Sequence, residues 1–258
     1  MRVQQQLAVL NERVVACRKC ARLVRYREKV AREKRRMFRE WEYWGRPAPG
    51  FGDPRAELLV LGLAPAAHGT NRTGRMFTGD RSGDFLYAAL YRAGFANQPT
   101  SKHREDGLRL ENCYITAGVR CCPPANKPTR QEQENCRPYL EEEFRLLKNL
   151  RAVLALGQIA HNTLLRLLKD YGRIDNLAAY AFAHGASYDL PAPVDIPAAG
   201  ALRLCSGRAA GLGGEKLGRR VRLFDSYHPS QQNTQTGRLT PAMFDRVLRQ
   251  VCRYLGAV

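Results

Sequence analysis

The chain has 258 residues, 44% hydrophobic and 26% charged, a composition that builds a substantial apolar core and excludes a wholly disordered protein. Forty-two Lys and Arg against 24 Asp and Glu leave a net charge of +18, which exceeds what solubility needs and points to a polyanionic partner, nucleic acid first. No apolar run approaches the roughly 18 to 20 residues that span a bilayer, and the N-terminal MRVQQQLAVLNERV lacks a signal peptide's apolar centre, so a cytoplasmic, nucleoid-associated, monomeric protein is expected.

In chain order, Cys17-x-x-Cys20 comes first, the spacing of a metal or cluster site in a reducing compartment. Residues 25 to 40, RYREKVAREKRRMFRE, carry eight basic and three acidic side chains on a helix-compatible run. This run is either a solvated helix face or one that contacts phosphates. It closes an N-terminal basic helical segment of about residues 1–46, within a single domain expected over 1–258.

A strand is predicted over Glu57 to Gly62, followed by GLAPAAHGTNRTGRMFTGD, residues 62 to 80, whose small side chains allow close backbone approach to a phosphate, nucleotide or base. It is not a P-loop: Arg75 and Met76 follow Gly74 where that motif needs Lys and Ser or Thr. A helix follows from Asp84, then a strand over Asn112 to Gly118 and the loop VRCCPPANKPT. Cys121 and Cys136 enclose fourteen residues and could complete a four-thiolate site, for which zinc and an iron-sulfur cluster are equally acceptable on spacing. Cys113 and Cys252 read as core residues, and Cys122 and Cys205 as unassigned, with Cys122 able to substitute for Cys121 as a ligand.

The third strand, Arg151 to Gly157, runs directly into a helix from Gln158. Residues 195–218, rich in Ala and Gly, read as an insertion. The fourth strand, Val221 to Ser226, opens into SYHPSQQNTQTG, and Thr240-Pro241 caps a last helix with Val247, Leu248, Val251 and Leu255 on its apolar face. Alternation of strands and helices predicts an α/β fold: a three-layer α/β/α sandwich around a four-stranded parallel sheet, with ligands outside the carboxyl ends of the strands.

Three of those strand-end loops, GLAPAAHGTNRTGRMFTGDRSG, RCCPPANKPT and SYHPSQQNTQTGRLTP, together with C-x2-C and C-x14-C, resemble the uracil-DNA glycosylase superfamily, most closely its family 5, the iron-sulfur type. The resemblance runs from about Cys17 to the final helix and leaves out 195–218. Family 4 would read Gly-Glu-Ala-Pro-Gly where this chain has Gly62-Leu63-Ala64-Pro65-Ala66, so the acid of that motif is missing.

What the resemblance implies is a monofunctional glycosylase that flips uracil, and other deaminated or modified bases, out of single- or double-stranded DNA and leaves an abasic site. It implies a four-iron four-sulfur cluster on Cys17, Cys20, Cys121 and Cys136. Phe77 would be the aromatic platform, against an ordinary place in the core, with Ala64, Pro65 and Ala66 as the wall; Asn126 would read the imide edge, against a turn residue. His228 would donate to the departing base, against a capping role, and Asp80 would serve the sugar side, against a helix N-cap. Ser230, Gln231, Asn233 and Arg75 would contact DNA. The rival readings are a non-catalytic iron-sulfur nucleic-acid-binding protein and, well behind it, a zinc-bearing nucleotide hydrolase, for which the loops hold too few acids.

Overall fold

The computed structural model describes residues 2–193 and 219–256; the insertion expected at 195–218, and Cys205 within it, lie outside the described residues. Two helices open the chain, α1 (Val3–Val15) and α2 (Ala21–Glu33). A short strand β1 (Phe51–Gly52) precedes β2 (Leu58–Gly62), and the long loop after β2 contains the single turn α3 (Thr70–Thr73) before α4 (Arg81–Arg92). Next come β3 (Cys113–Ala117), α5 (Arg130–Leu146), β4 (Ala152–Leu156) and α6 (Gln158–Asp170). Then β5 (Ser187–Pro191), β6 (Arg220–Ser226), α7 (Gln231–Gln235) and α8 (Pro241–Leu255) complete the described fold.

The four predicted strands are present and parallel, in the order β3-β2-β4-β6. Two antiparallel edges extend the sheet to six: β1 pairs with β3, and β5 pairs with β6 through Tyr188 opposite Leu223. β2, β3 and β4 are buried at every position, as expected for parallel strands covered on both faces. Alternation along them divides the core. Leu58, Val60, Ile115, Leu154 and Phe224 face α4 and α8, whereas Leu59, Leu61, Tyr114, Val153 and Leu223 face α1, α5 and α6. Cys113 and Cys252 lie in the first of these cores.

After β2 the chain builds β3 on one side and then crosses to build β4 on the other, so the carboxyl ends of β2 and β4 flank a topological switch point. The loop from Leu63 to Asp80 leaves β2 at that crevice. It is tied to the loop after β3 by the amides of Gly118 and Val119, which donate to the carbonyls of Gly62 and Leu63 at 3.0 and 2.9 Å.

Beside this junction a fully buried ion pair joins β3's exit to α5. Arg120 donates to Glu143 Oε1 at 3.0 Å and Oε2 at 2.5 Å, and Thr116 Oγ1 donates to Oε2 at 2.7 Å. Removing the acid strands a buried guanidinium. Glu143→Ala is expected to lower stability by about 3–5 kcal/mol in equilibrium denaturation, and Arg120→Met with Glu143→Leu to recover a large part of that loss; an unchanged denaturation midpoint in the single variant would contradict the pair's role.

Candidate active site

The site assembles where the loops after β2 and β6 meet. Phe77 takes a φ of 52°, a left-handed conformation that is costly for an aromatic residue and is held from both sides. Its amide donates to Thr70 Oγ1 at 3.1 Å, and a side chain at Gly83, in the first turn of α4, would strike its carbonyl oxygen. This geometry lays the ring over Gly62, where even a methyl group would sit 3.0 Å from Cζ. His228 faces the ring from the end of β6, with centroids 5.9 Å apart and planes 34° apart.

Burial drives the His228 imidazole down to about 4, so the ring is neutral at physiological pH and offers one N–H donor. Neither ring nitrogen hydrogen-bonds a group among the described residues. The backbone around it is fixed by Asn233, whose Nδ2 donates to the His228 carbonyl at 2.8 Å, and by Ser230, whose Oγ caps α7 through the Asn233 amide at 3.3 Å. Ser230 and Asn233, expected on DNA, are thus engaged in shaping the His228 loop, while Gln231 is exposed. Arg75 is corrected outright: it is 3% exposed, pairs with both oxygens of Asp106 at 2.8 Å and donates to Ser101, so it cannot reach DNA.

Asp80 is the N-cap of α4, its Oδ1 accepting from the Gly83 amide at 2.9 Å. Its Oδ2 lies over Gly69, at a place where any Cβ would collide with it. One carboxylate thus caps the helix with one oxygen and turns the other into the loop. Desolvation raises its pKa, with the Gly83 and Ser82 amides opposing. Pro65 is buried and Ala66 half-buried in the same loop. Ala64 packs instead against Leu23, Val119, Cys121 and Cys136, which commits its methyl to the cysteine side rather than the expected base wall. Asn126 sits exposed on the neighbouring loop, after Ala125, both left-handed; its side chain makes no hydrogen bond to Phe77 or His228.

Sequence reasoning missed the support behind His228. His161 Nδ1 meets Asp225 Oδ1 at 2.8 Å, both buried under the end of β6, and its Nε2 meets the carbonyl of half-buried Tyr180 at 2.9 Å. His184 stacks on Tyr227 at 5.0 Å and accepts from the Tyr227 amide at 3.2 Å. Lone histidines on a helix and a turn carry no signal that would pair them with a strand 42 to 64 residues away.

The four cysteines of interest converge. Cys17, Cys20, Cys121 and Cys136 line one small cavity, and Cys122, though buried, does not. Arg27, from the middle of the basic run, turns inward and is 2% exposed; it donates to Cys121 Sγ at 3.0 Å and to the Cys17 carbonyl at 3.3 Å. No carboxylate pairs with it among the described residues, and its Nε has no partner. Asn135 Nδ2 donates to Cys20 Sγ at 3.3 Å. Among the described residues no three of His, Cys, Asp or Glu are arranged to hold a single metal ion. Four thiols around one small cavity, with a buried cation at its wall, are compatible with an anionic thiolate-bound group.

Fold and site together define a class. The profile of the uracil DNA glycosylase superfamily matches residues 49–252, and the chain belongs to that superfamily. Within it, the chain is 48% identical over 248 residues to a type-5 uracil-DNA glycosylase of Mycobacterium bovis, covering 96% of this chain and 81% of the relative. The type-5 uracil-DNA glycosylase of Thermus thermophilus is 47% identical over 94% of this chain and 95% of its own length, and that of Pyrobaculum aerophilum 41% over 95% and 92%. A type-4 enzyme of Pyrobaculum aerophilum matches at 34% over only 49% of this chain.

His228 should stay unprotonated in an NMR titration until the pH approaches about 4, and a midpoint near 6.5 would mean that the ring is solvated. Because the unfolded chain binds that proton first, the same shift predicts stability that falls as pH drops from about 6.5 toward 4.

Proposed function

We propose that this protein is a monofunctional uracil-DNA glycosylase: it hydrolyses the N-glycosidic bond of uracil in DNA, in base excision repair. The observation that carries the reading is the Phe77–His228 pair at the switch point of the sheet, with Asp80 in the same loop. An extruded base needs a flat face to lie on, and the strained Phe77 ring supplies one. Negative charge builds on the departing base, and the neutral His228 N–H is a donor preorganised beside it. Positive charge builds on the sugar, where the raised pKa of Asp80 makes its free oxygen a better base for the attacking water than an exposed carboxylate would be. Asn126 reads the imide edge of uracil from the loop after β3. The half-buried Ala66 and Ala67 leave room for other deaminated bases.

Cys17, Cys20, Cys121 and Cys136 would hold a four-iron four-sulfur cluster, the group that their cavity and the unpaired Arg27 suit. When bound it would tie the link between α1 and α2 to the β3 loop and to α5, a structural service with no part in the hydrolysis. Arg27 offsets its negative charge, and Asn135 orients Cys20. The purified protein is expected to be brown, with about four irons per chain; a colourless protein holding one zinc would overturn this assignment.

Activity is tested by incubating the protein with a uracil-containing oligonucleotide and heating in alkali, which should cut the strand at uracil. Intact strands would favour a binding protein without chemistry. His228→Ala should slow single-turnover excision by about 10²–10³-fold. Asp80→Asn keeps a good helix cap while removing the charge, so its melting temperature should hold while excision falls. Lost stability with excision intact per folded molecule would leave Asp80 as a cap alone.

A further inference from the structure

The basic run that follows the first cysteine pair divides in two. Its first half is α2; its second is a hook of different character. Lys34 ends α2 with a positive φ of 50°, and the chain passes into a 3-10 turn at Arg36–Phe38. Lys34 Nζ donates to the Arg39 carbonyl at 3.0 Å, closing the hook on itself.

The inner side of the hook is bolted to the loop that carries Phe77 and Asp80. Phe38 and Trp41 meet edge to face at 6.3 Å, and the guanidinium of Arg72 lies 3.9 and 4.0 Å from their ring centres. Arg72 is itself buried and donates to the carbonyls of His68 and Gly79 at 2.8 and 2.6 Å, directly beside Asp80. Tyr43, just beyond the hook, meets His68 Nδ1 at 3.1 Å. A desolvated cation held against two aromatic rings is a firm attachment.

The outer side presents Met37, 72% exposed and the most exposed large hydrophobic side chain among the described residues. Around it Arg35, Arg36 and Arg39 are exposed, with Glu33 and Glu40 as the neighbouring acids. An apolar tip, ringed by arginines and fastened through Arg72 to the loop that carries Phe77 and Asp80, stands in solvent with no packing role inside the protein. It does match a need of the reaction. When a base leaves a duplex the stack must be held open, and apolar side chains flanked by phosphate-binding cations do this in DNA-bending proteins.

We propose that Met37 is the wedge that enters the duplex as uracil leaves it, with Arg35, Arg36 and Arg39 on the flanking phosphates. This rests on the glycosylase reading and adds a substrate dependence to it. A single strand has no stack to hold open, so the wedge matters only for duplex DNA. The unbranched thioether adapts to the gap without a fixed shape.

Single-turnover excision of the same uracil from single-stranded and duplex oligonucleotides tests the assignment. Met37→Ala should slow duplex excision about tenfold, the rate equivalent of part of a base-step unstacking cost, while leaving single-strand excision within about twofold. Met37→Leu should restore most of the duplex rate. Phe38→Ala, which unfastens the hook, should reproduce the duplex-only loss. An unchanged duplex rate in Met37→Ala, or equal losses on both substrates, overturns the wedge. If the unaltered protein excises uracil from neither substrate, the glycosylase reading fails instead. Arg35→Gln, Arg36→Gln and Arg39→Gln together should lower the slope of log affinity against log salt by about 0.9 for each phosphate no longer neutralised, and an unchanged slope would remove the arginines from the interface.

Discussion

The Arg120–Glu143 ion pair is the point through which the functional parts of this fold are fastened together. Two opposite charges with no water around them tolerate almost no displacement, because each is costly to leave alone. Arg120 is the residue before Cys121, and Glu143 lies two helical turns beyond Cys136 on α5. The N-terminal segment crosses directly over the pair: Ala48 donates its amide to the Arg120 carbonyl at 2.7 Å, and Gly50 passes so close that a methyl there would strike Glu143 Oε1 and the Tyr114 hydroxyl. Cysteine cavity, β3 loop and N-terminal approach are therefore registered against one buried contact. Movement in any of them is resisted by the others.

Burial does different work at each charged or titratable group, and the site depends on that difference. For His228 it removes the proton and leaves a neutral donor. For Asp80 it raises the proton affinity of a carboxylate that two amides hold back. Asp225 is pushed the same way, against the pull of His161, and the pair it makes with that ring braces the strand from which His228 emerges. Arg27 and Arg72 are two buried cations with no carboxylate partner among the described residues, and each is held by something softer than a carboxylate: sulfur and carbonyl oxygen in one case, aromatic rings and carbonyls in the other, with Arg27 Nε and Arg72 Nη1 left without a hydrogen bond among those residues.

The parallel centre of the sheet was legible because buried strands are short apolar runs that end in glycine or serine, and all four are of that kind. The edges were not. β1 is two residues long, and β5 reads Ser-Tyr-Asp-Leu-Pro with much of it exposed; its strand character comes from pairing with β6 and from the Asp189–Arg222 ion pair. Phe77 and His228, and the four cysteines, which the structure brings together, were legible as candidates because their motifs are local. Arg75 was misassigned because an arginine in a basic protein looks like a phosphate ligand until its long-range partner, Asp106, is known. On sequence alone Asp80 poses a choice between cap and catalytic acid; in the structure one oxygen caps α4 and the other lies over Gly69. The inward turn of Arg27 and the His161–Asp225 contact belong to tertiary structure alone.

The attachment of α1 and α2 also bears on how the chain is made. Arg22 on α2 pairs with Glu132, 110 residues further on, and Arg13 on α1 with Glu142, 129 residues on. At synthesis rates of about 5–20 residues per second, the first two helices leave the ribosome and wait on the order of ten seconds before their partner helix exists. During that interval Leu7, Leu10 and Val14 have no core to enter, and Cys17 and Cys20 are exposed thiols. These two helices are thus made before the helix that seats them, and the newborn chain depends on its surroundings to keep those two sulfurs reduced until α5 emerges.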